Sequence, residues 1–510
     1  MLKQKKRGFR LKTRVILTAI GFLLTIALIL YTALELQHNF LHIFTLFEVI
    51  GIITAIYIVN KRGNPSYKIA WIVFILALPV FGLFIYMLWG GQRTFPHLKR
   101  RYRKCNEHYM RYLKQDKDIT ALLNTIDSPV TRQAAYIYNE SGFPVYRDTS
   151  AQYLSPGDKF LEKLLEELKK AEQYIYLEYF ILADGKMWDA VFNILAEKAD
   201  SGVEVKVIFD DFGSIKRQYQ DFVTRMHRHN IEVAVFCPIK PSLNMVMNNR
   251  NHRKIVIIDG NVAFTGGINI ADEYINEFER FGYWMDCGIM LKGTAVNSFL
   301  IMFCTMWQYT TGEQILMSRH LISKPDISDG YVIPYCDGPM DDKWIAEGVY
   351  LQLLNTSTRY VDIATPYLIL DDKMKSAIIL AAKSGVRIRI ITPFVPDKKY
   401  VHPVTQYYYS ELLEAGVKIY EYTPGFIHSK MFISDDTSAT VGTVNMDYRS
   451  FFFHFECGVW FTNTNTVSTM EEHFEEILKD SQEITLEVWK KRPIKQRFKQ
   501  WILHLFSPLM

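Results

Sequence analysis

The residues His252 to Asp259 return, in skeleton, as His428 to Asp435, and both copies read His-x-Lys-x4-Asp. After each Asp a turn of small residues leads to an asparagine: Gly266-Gly267-Ile268-Asn269 in the first copy, Gly442-Thr443-Val444-Asn445 in the second. Two sets of His, Lys, Asp and Asn at one spacing imply a duplicated chain, each half of which carries half of a site. The two halves must then share one architecture and turn their motifs toward each other.

The surroundings repeat as well. Gly157 to Ala171 places Phe160, Leu164, Leu165, Leu168 and Ala171 at helical spacing, and the strand-like run Tyr174-Ile175-Tyr176-Leu177 follows. The second half repeats the order with a helical stretch from Lys343 to Leu354 and then Tyr360-Val361-Asp362-Ile363-Ala364. Gly202-Val203-Glu204-Val205-Lys206-Val207-Ile208 and Gly385-Val386-Arg387-Ile388-Arg389-Ile390-Ile391 correspond in the same way. Strands alternating with helices predict an α/β fold: two tandem halves, 135–322 and 323–488, packed as a pseudo-dimer. The repeat continues into Asp286-Cys287-Gly288-Ile289 and Glu456-Cys457-Gly458-Val459. Asp286 and Glu456 thus recur at the start of equivalent strands. They are candidates to hold each histidine's Nδ1–H and set its tautomer.

On a strand, side chains alternate faces, so His252 and Lys254 share one face, as do His428 and Lys430. A nucleophile or acid then stands beside a cationic phosphate clamp. The glycine turns let backbone approach a phosphate, and Asn269 and Asn445 can donate to its oxygens. With one neutral and one protonated histidine, one attacks phosphorus and the other protonates the leaving oxygen, while fixed side chains stabilise the extra charge. No metal and no other cofactor is needed for this. Asp259 and Asp435 complete the motif, but at the strand's end they read as structural support.

Three long apolar runs open the chain: Val15–Leu34, Leu41–Val59 with Glu48 near its middle, and Ile69–Trp89. Each approaches bilayer length, so residues 1–92 are expected to be a multi-pass membrane region. Basic clusters at the N-terminus, at Arg93–Lys104 within an expected linker over 93–134, and at Lys490–Lys499 point to an anionic surface. The positive-inside rule wants all the early clusters in the cytoplasm, which three full crossings cannot satisfy. A third run that dips in and returns around Pro79 and Gly82 would resolve this and leave the catalytic part facing the cytoplasm. The tail, 489–510, mixes basic residues with Trp489, Phe498, Trp501, Ile502, Leu503, Leu505 and Phe506. It reads either as an interfacial amphipathic helix or as an ordinary docked one. Six scattered cysteines form no CxxC pair and suggest neither zinc site nor disulfide framework.

The paired motif with its Gly-x-Asn continuation resembles the phospholipase D superfamily. Asn64-Pro65-Ser66-Tyr67 through Leu78-Pro79-Val80-Phe81-Gly82 to Gly90, Thr365-Pro366-Tyr367, Gly442 to Phe451 and Phe506-Ser507-Pro508-Leu509 are similar to bacterial cardiolipin synthases. Most members have two membrane segments, so Val15–Leu34 is an addition here. The resemblance implies transfer of a phosphatidyl group from one phosphatidylglycerol to a histidine and then to a second phosphatidylglycerol, giving cardiolipin and glycerol. It implies His252 as nucleophile and His428 as acid and base. The expected partners are phosphatidylglycerol and anionic membrane lipid, with no nucleic acid. Another phospholipase D-type phosphatidyltransferase or phospholipase, or a catalytically dead membrane scaffold, is the alternative.

Overall fold

The computed structural model describes residues 41–510 together with Ala27 and Tyr31, apart from 62, 91–95, 126–127, 215–218, 239–248, 318–319, 321–325, 328–329, 342 and 510. Val15–Leu34 and the N-terminal basic cluster therefore lie outside the described residues, those two positions aside. The chain forms two units, one over the N-terminal 94 residues with 239–248 and one over the remainder.

In the first unit, α1 (Leu41–Asn60), α2 (Pro65–Ala77) and α3 (Pro79–Trp89) follow one another. Asn64 caps α2 by accepting from the Ser66 and Tyr67 amides, and Pro65 occupies the first turn, where its missing N–H costs nothing. The apolar run Ile69–Trp89 is cut at Leu78–Pro79, where it was expected to turn, because proline cannot donate to the preceding turn. The two pieces fold back on each other. A Cβ on Gly82 would lie 2.7 Å from the Ile75 Cα, so only glycine allows this approach. Trp71 meets Tyr86, and Phe74 meets Phe81, edge to face at 5.4 and 5.7 Å. Among the described residues no helix is long and apolar enough to cross a membrane. Leu41–Val59 and Ile69–Trp89, two of the three expected spans, therefore do not form spanning helices, and the third, Val15–Leu34, lies outside the described residues apart from Ala27 and Tyr31.

The second unit is the duplicated body. Its first sheet contains β1 (Thr149–Leu154), β2 (Tyr174–Tyr179), β3 (Glu204–Asp210), β4 (Glu232–Phe236), β5 (Lys254–Ile258), β6 (Val262–Gly266) and β8 (Gly288–Gly293). The second contains β9 (Tyr331–Asp337), β10 (Tyr360–Ala364), β11 (Arg387–Pro393), β12 (Lys418–Tyr422), β14 (Met431–Ser434), β15 (Ser438–Gly442), β16 (Glu456–Thr462) and β17 (Ser481–Ile484). The orders are β1-β8-β6-β5-β2-β3-β4 and β9-β16-β15-β14-β10-β11-β12-β17. Strand for strand they are the same sheet, with β17 added at one edge. In each, three parallel strands (β2-β3-β4, β10-β11-β12) continue into antiparallel ones.

The motif strands sit centrally because they are apolar on both faces. Ile255 and Ile257 enter the core that runs on into the second half. Val256 and Ile258 enter a separate core with the helices Gly157–Leu168 and Lys186–Asp200. The two cores lie on opposite faces of one strand, as the alternation requires.

The stretch 93–134, expected as a linker, folds mainly as the helices Pro96–Met110 and Lys117–Thr125, and a third helix starts at Pro129. Cys105 and Tyr109 bury their side chains, and the Tyr109 hydroxyl accepts from the Ile315 amide at 2.9 Å. Periodicity dominated by surface arginines had hidden that buried stripe. The tail helix Ile494–His504 docks on the helix His402–Tyr407, with the His504 ring stacked 3.9 Å from that of Tyr407. Its other side leaves Ile494, Phe498, Trp501 and Leu505 exposed.

Candidate active site

Two short strands join the halves where the motifs begin. β7 (Tyr283–Met285) and β13 (Gly425–Ile427) pair in parallel, so Met285 stands opposite Ile427. The His428 amide then donates to the Met285 carbonyl at 2.7 Å. The pseudo-symmetric contact is present too: Asn251 bridges Phe455, and the His252 amide donates to the Phe455 carbonyl at 2.9 Å. Each histidine is thereby laid against the residue just before the other half's carboxylate.

The side chains complete the exchange. His252 Nδ1 lies 2.9 Å from both oxygens of Glu456, and His428 Nδ1 lies 2.6 Å from Asp286 Oδ2. The carboxylates expected to orient the histidines do so across the pseudo-dimer. With Nδ1–H donated to Glu456, Nε2 of His252 is left with its lone pair. Lys254 donates to the carbonyl of His252 at 2.7 Å, and Lys430 donates to that of His428. All six side chains are buried.

Burial dominates the electrostatics. It pushes His252 down to about 3 against the pull of Glu456. It also holds His428 far below its usual range, reinforced by Lys430, Lys254 and Lys398. Burial thus disfavours the protonated form of either ring. Burial likewise lowers Lys254 to about 7 and Lys430 to about 8. The carboxylates differ. Burial pushes Asp286 up to about 7 despite Lys430 and the Cys287 amide. Burial also works against ionised Glu456, but His252 and His454 outweigh it and hold this carboxyl well below its usual range. Hydroxyls of Ser450, at 2.8 Å, and Thr443 also donate to Glu456.

The glycine turn serves a different end from the one expected. A Cβ on Gly267 would fall 2.1 Å from Asp286 Oδ1, so the space is occupied by the carboxylate, not kept for a phosphate. In the second half Thr443 stands there and bonds its carboxylate instead. Asn269 is also committed: its Oδ1 accepts from the Ile181 amide at 3.0 Å and its Nδ2 donates to the Tyr274 hydroxyl at 2.6 Å. It positions the Tyr274 ring, which meets His428 edge-on at 5.5 Å. These bonds use one of the two Nδ2 hydrogens, and the expected donation to substrate phosphate would fall to the other. The backbone N–H of Asn445 donates to the Ser450 hydroxyl at 3.1 Å, and its side-chain Oδ1 has no partner among the described residues.

Asp259 and Asp435 stand at the far ends of their strands in left-handed conformation, φ +50° and +56°. Asp259 accepts from the amides of Glu172, Gln173 and Tyr174, each at 2.8 Å. Asp435 does the same for Thr358, Arg359 and Tyr360 at 2.6 to 2.8 Å. Neither touches the reacting groups, so their grouping with the catalytic residues is corrected: they tie each motif strand to the strand beside it. Asp435→Ala leaves three amides without an acceptor and will cost at least about 2 kcal/mol. Thermal unfolding of the full chain measures it, and an unchanged midpoint refutes the anchor.

Several neighbours lay beyond sequence reasoning. Phe180 and His454 flank His252 at ring distances of 5.0 and 5.5 Å, and Trp284 flanks His428 at 5.3 Å. Lys398 lies over the Tyr367 ring at 4.7 Å. Only the position of His454 and Trp284, each two residues before its carboxylate, left a trace in the sequence.

Residues 164–280 and 350–478 match the family described as cardiolipin synthase, PLD-like domain, and 49–91 match phospholipase D-nuclease N-terminal. Cardiolipin synthase 2 of Bacillus anthracis is 33% identical over 479 residues, covering 91% of each chain. The chain belongs to the phospholipase D-type cardiolipin synthase family. Cardiolipin synthase of Geobacillus thermodenitrificans is 31% identical, covering 98% of this chain and 99% of the other. An uncharacterized protein of Streptococcus mutans is 39% identical, covering 90% and 99%. Phosphatidylserine synthase of Haemophilus influenzae, a solved structure, shares the fold at 13% identity and TM-score 0.56, over 74% of this chain and 98% of that one. As a member of the cardiolipin synthase family the chain is a phosphatidyltransferase.

Proposed function

We propose that the paired site joins two phosphatidylglycerol molecules into cardiolipin and glycerol through a phosphohistidine. The observation that carries this reading is the exchange of carboxylates, His252 to Glu456 and His428 to Asp286, which makes one site of two half-sites. His252 Nε2 attacks phosphorus, and the Nε2–phosphorus bond forms as the bond to the glycerol oxygen breaks. Positive charge then develops on the imidazole, so the partner that stays ionised suits the nucleophile, and that partner is Glu456. The His428–Asp286 pair supplies the proton to the departing alkoxide: with the proton of the pair held on Asp286, pushed up to about 7, His428 gives up its Nε2–H while its Nδ1 takes the proton from Asp286. It takes a proton back from the incoming headgroup hydroxyl in the second step. Lys254 and Lys430 balance the phosphate charge.

The test is incubation of the purified protein with phosphatidylglycerol and no nucleotide. Cardiolipin and glycerol forming together support the transfer; phosphatidic acid as the sole lipid product would mean hydrolysis. A pH series adds a second check. A lysine whose folded value is depressed is cationic below that value and neutral above it. The clamp charge is therefore lost as pH rises through about 7 to 8. KM for phosphatidylglycerol should climb on this limb, and a flat KM to the range of an exposed lysine would refute the clamp.

Membrane association is part of the same reading. Ile52, Ile53, Ile56 and Val59 on α1 and Ile69 and Val73 on α2 are exposed, as is the stripe on the tail helix. The stripe runs beside Lys495, Arg497 and Lys499, which suits an anionic bilayer. A chain ending at residue 490 will bind vesicles of phosphatidylglycerol more weakly than the full chain in a flotation assay. Equal recovery would assign the stripe another role.

A further inference from the structure

His454 is an imidazole that takes no part in the bond-making and proton-transfer steps above. It is 9% exposed, and neither ring nitrogen has a hydrogen-bond partner. Leaving a buried polar group without a partner is costly, so its persistence calls for a ligand. Its Nδ1 faces Glu456 Oε1 at 3.7 Å, and the same oxygen lies 2.9 Å from His252 Nδ1. One ligand atom each from His252, His454 and Glu456 can be chosen so that all lie within 4.8 Å of one another.

That triangle has the size of a metal site. Around a tetrahedral Zn²⁺ with bonds of about 2.0–2.2 Å, neighbouring ligand atoms stand roughly 3.4 Å apart. The observed 2.9 and 3.7 Å bracket this spacing, and the third edge, between the two imidazoles and no longer than 4.8 Å, closes by rotation of the rings. Two imidazoles and one carboxylate select the zinc class over Mg²⁺ or Ca²⁺, which take oxygen ligands. The other half offers no counterpart: Trp284 occupies the matching position beside His428.

We propose that His252, His454 and Glu456 form a site for a divalent transition metal of the zinc class, and that filling it switches transfer off. Ligation displaces the proton shared by His252 Nδ1 and Glu456 and takes over the nitrogen lone pair. The carboxylate then serves the metal, and a cation beside the ring opposes the charge that must build up when Nε2 attacks phosphorus. The inhibition rests on the transfer reading above; the metal site itself does not.

The experiment uses the full chain in detergent micelles. Zn²⁺ is titrated against a chromophoric chelator, Co²⁺ absorption is recorded, and cardiolipin formation is followed in parallel. The expected result is one tightly held ion per chain, the visible bands of tetrahedral Co²⁺, and transfer that falls as the site fills and returns with EDTA. His454→Asn should weaken Zn²⁺ binding by at least about tenfold and make transfer resistant to zinc. Unchanged zinc affinity in His454→Asn overturns the proposal. So does cardiolipin formation by a chain that binds no stoichiometric zinc, and that outcome leaves the transfer reading standing. The cobalt spectrum of the unaltered chain decides the matter should the variant misfold.

Discussion

Replacing His252 or His428 by alanine, one at a time, will lower cardiolipin formation by at least about a thousandfold. The two losses arise at different steps, and that difference is the informative part. His252→Ala removes the atom that bonds to phosphorus, so no covalent phosphatidyl-enzyme can accumulate. His428→Ala keeps that atom but has no group to protonate the alkoxide in the first step or to activate the hydroxyl in the second. With a phosphatidyl donor whose leaving group needs no proton, His428→Ala will therefore form the acid-labile phosphohistidine and stall there. Rapid quench with radiolabelled donor and gel detection measures this. Covalent label on His252→Ala and none on His428→Ala would reverse the two roles. Substantial cardiolipin formation by either variant would end the shared mechanism.

Glu456→Gln and Asp286→Asn should each slow transfer by about two to four orders of magnitude, because an amide that donates to Nδ1 forces the wrong tautomer and leaves no lone pair where it is needed on Nε2. The carboxylates lie in opposite halves from the histidines they serve. Glu456→Gln will therefore behave like a lesion of the first motif, suppressing covalent label, and Asp286→Asn like a lesion of the second, suppressing turnover of an activated donor far less. Steady-state rates with ordinary and activated donors separate the two. Equal effects on both donors would show that the carboxylates serve packing alone. Glu456 is also held by Ser450 and Thr443, so its variant must be checked for folding by its melting temperature.

Both predictions depend on a pairing that one-dimensional reasoning reached only halfway. The repeat exposed Asp286 and Glu456 as candidates because each begins a matching strand. It contained nothing on which histidine each would meet. That is decided by β7 pairing with β13 and by the bridge between Asn251 and Phe455, contacts between distant parts of the chain. The glycine turn was misjudged for a related reason. Gly267 announces a close approach, but the approaching group, the Asp286 carboxylate, comes from another strand. Asn269 has a side chain suited to phosphate, and its carbonyl and one of its amide hydrogens are engaged by Ile181 and Tyr274, which the sequence does not show.

The paired His-x-Lys-x4-Asp motifs were enough to establish duplication, the α/β character of each half and the chemistry of two histidines beside two lysines. Those properties reside in local spacing: alternation on a strand puts His and Lys on one face, and unbroken apolar runs demand a central, doubly covered strand. The same local rules marked the break at Pro79, since a missing amide hydrogen acts on its own turn. Which carboxylate meets which histidine, how burial lowers the basicity of both rings, and the placing of His454 beside Glu456 were decided only when the two sheets packed together. Dielectric environment and partner choice are properties of neighbours brought close in space, and spacing along a chain does not encode them.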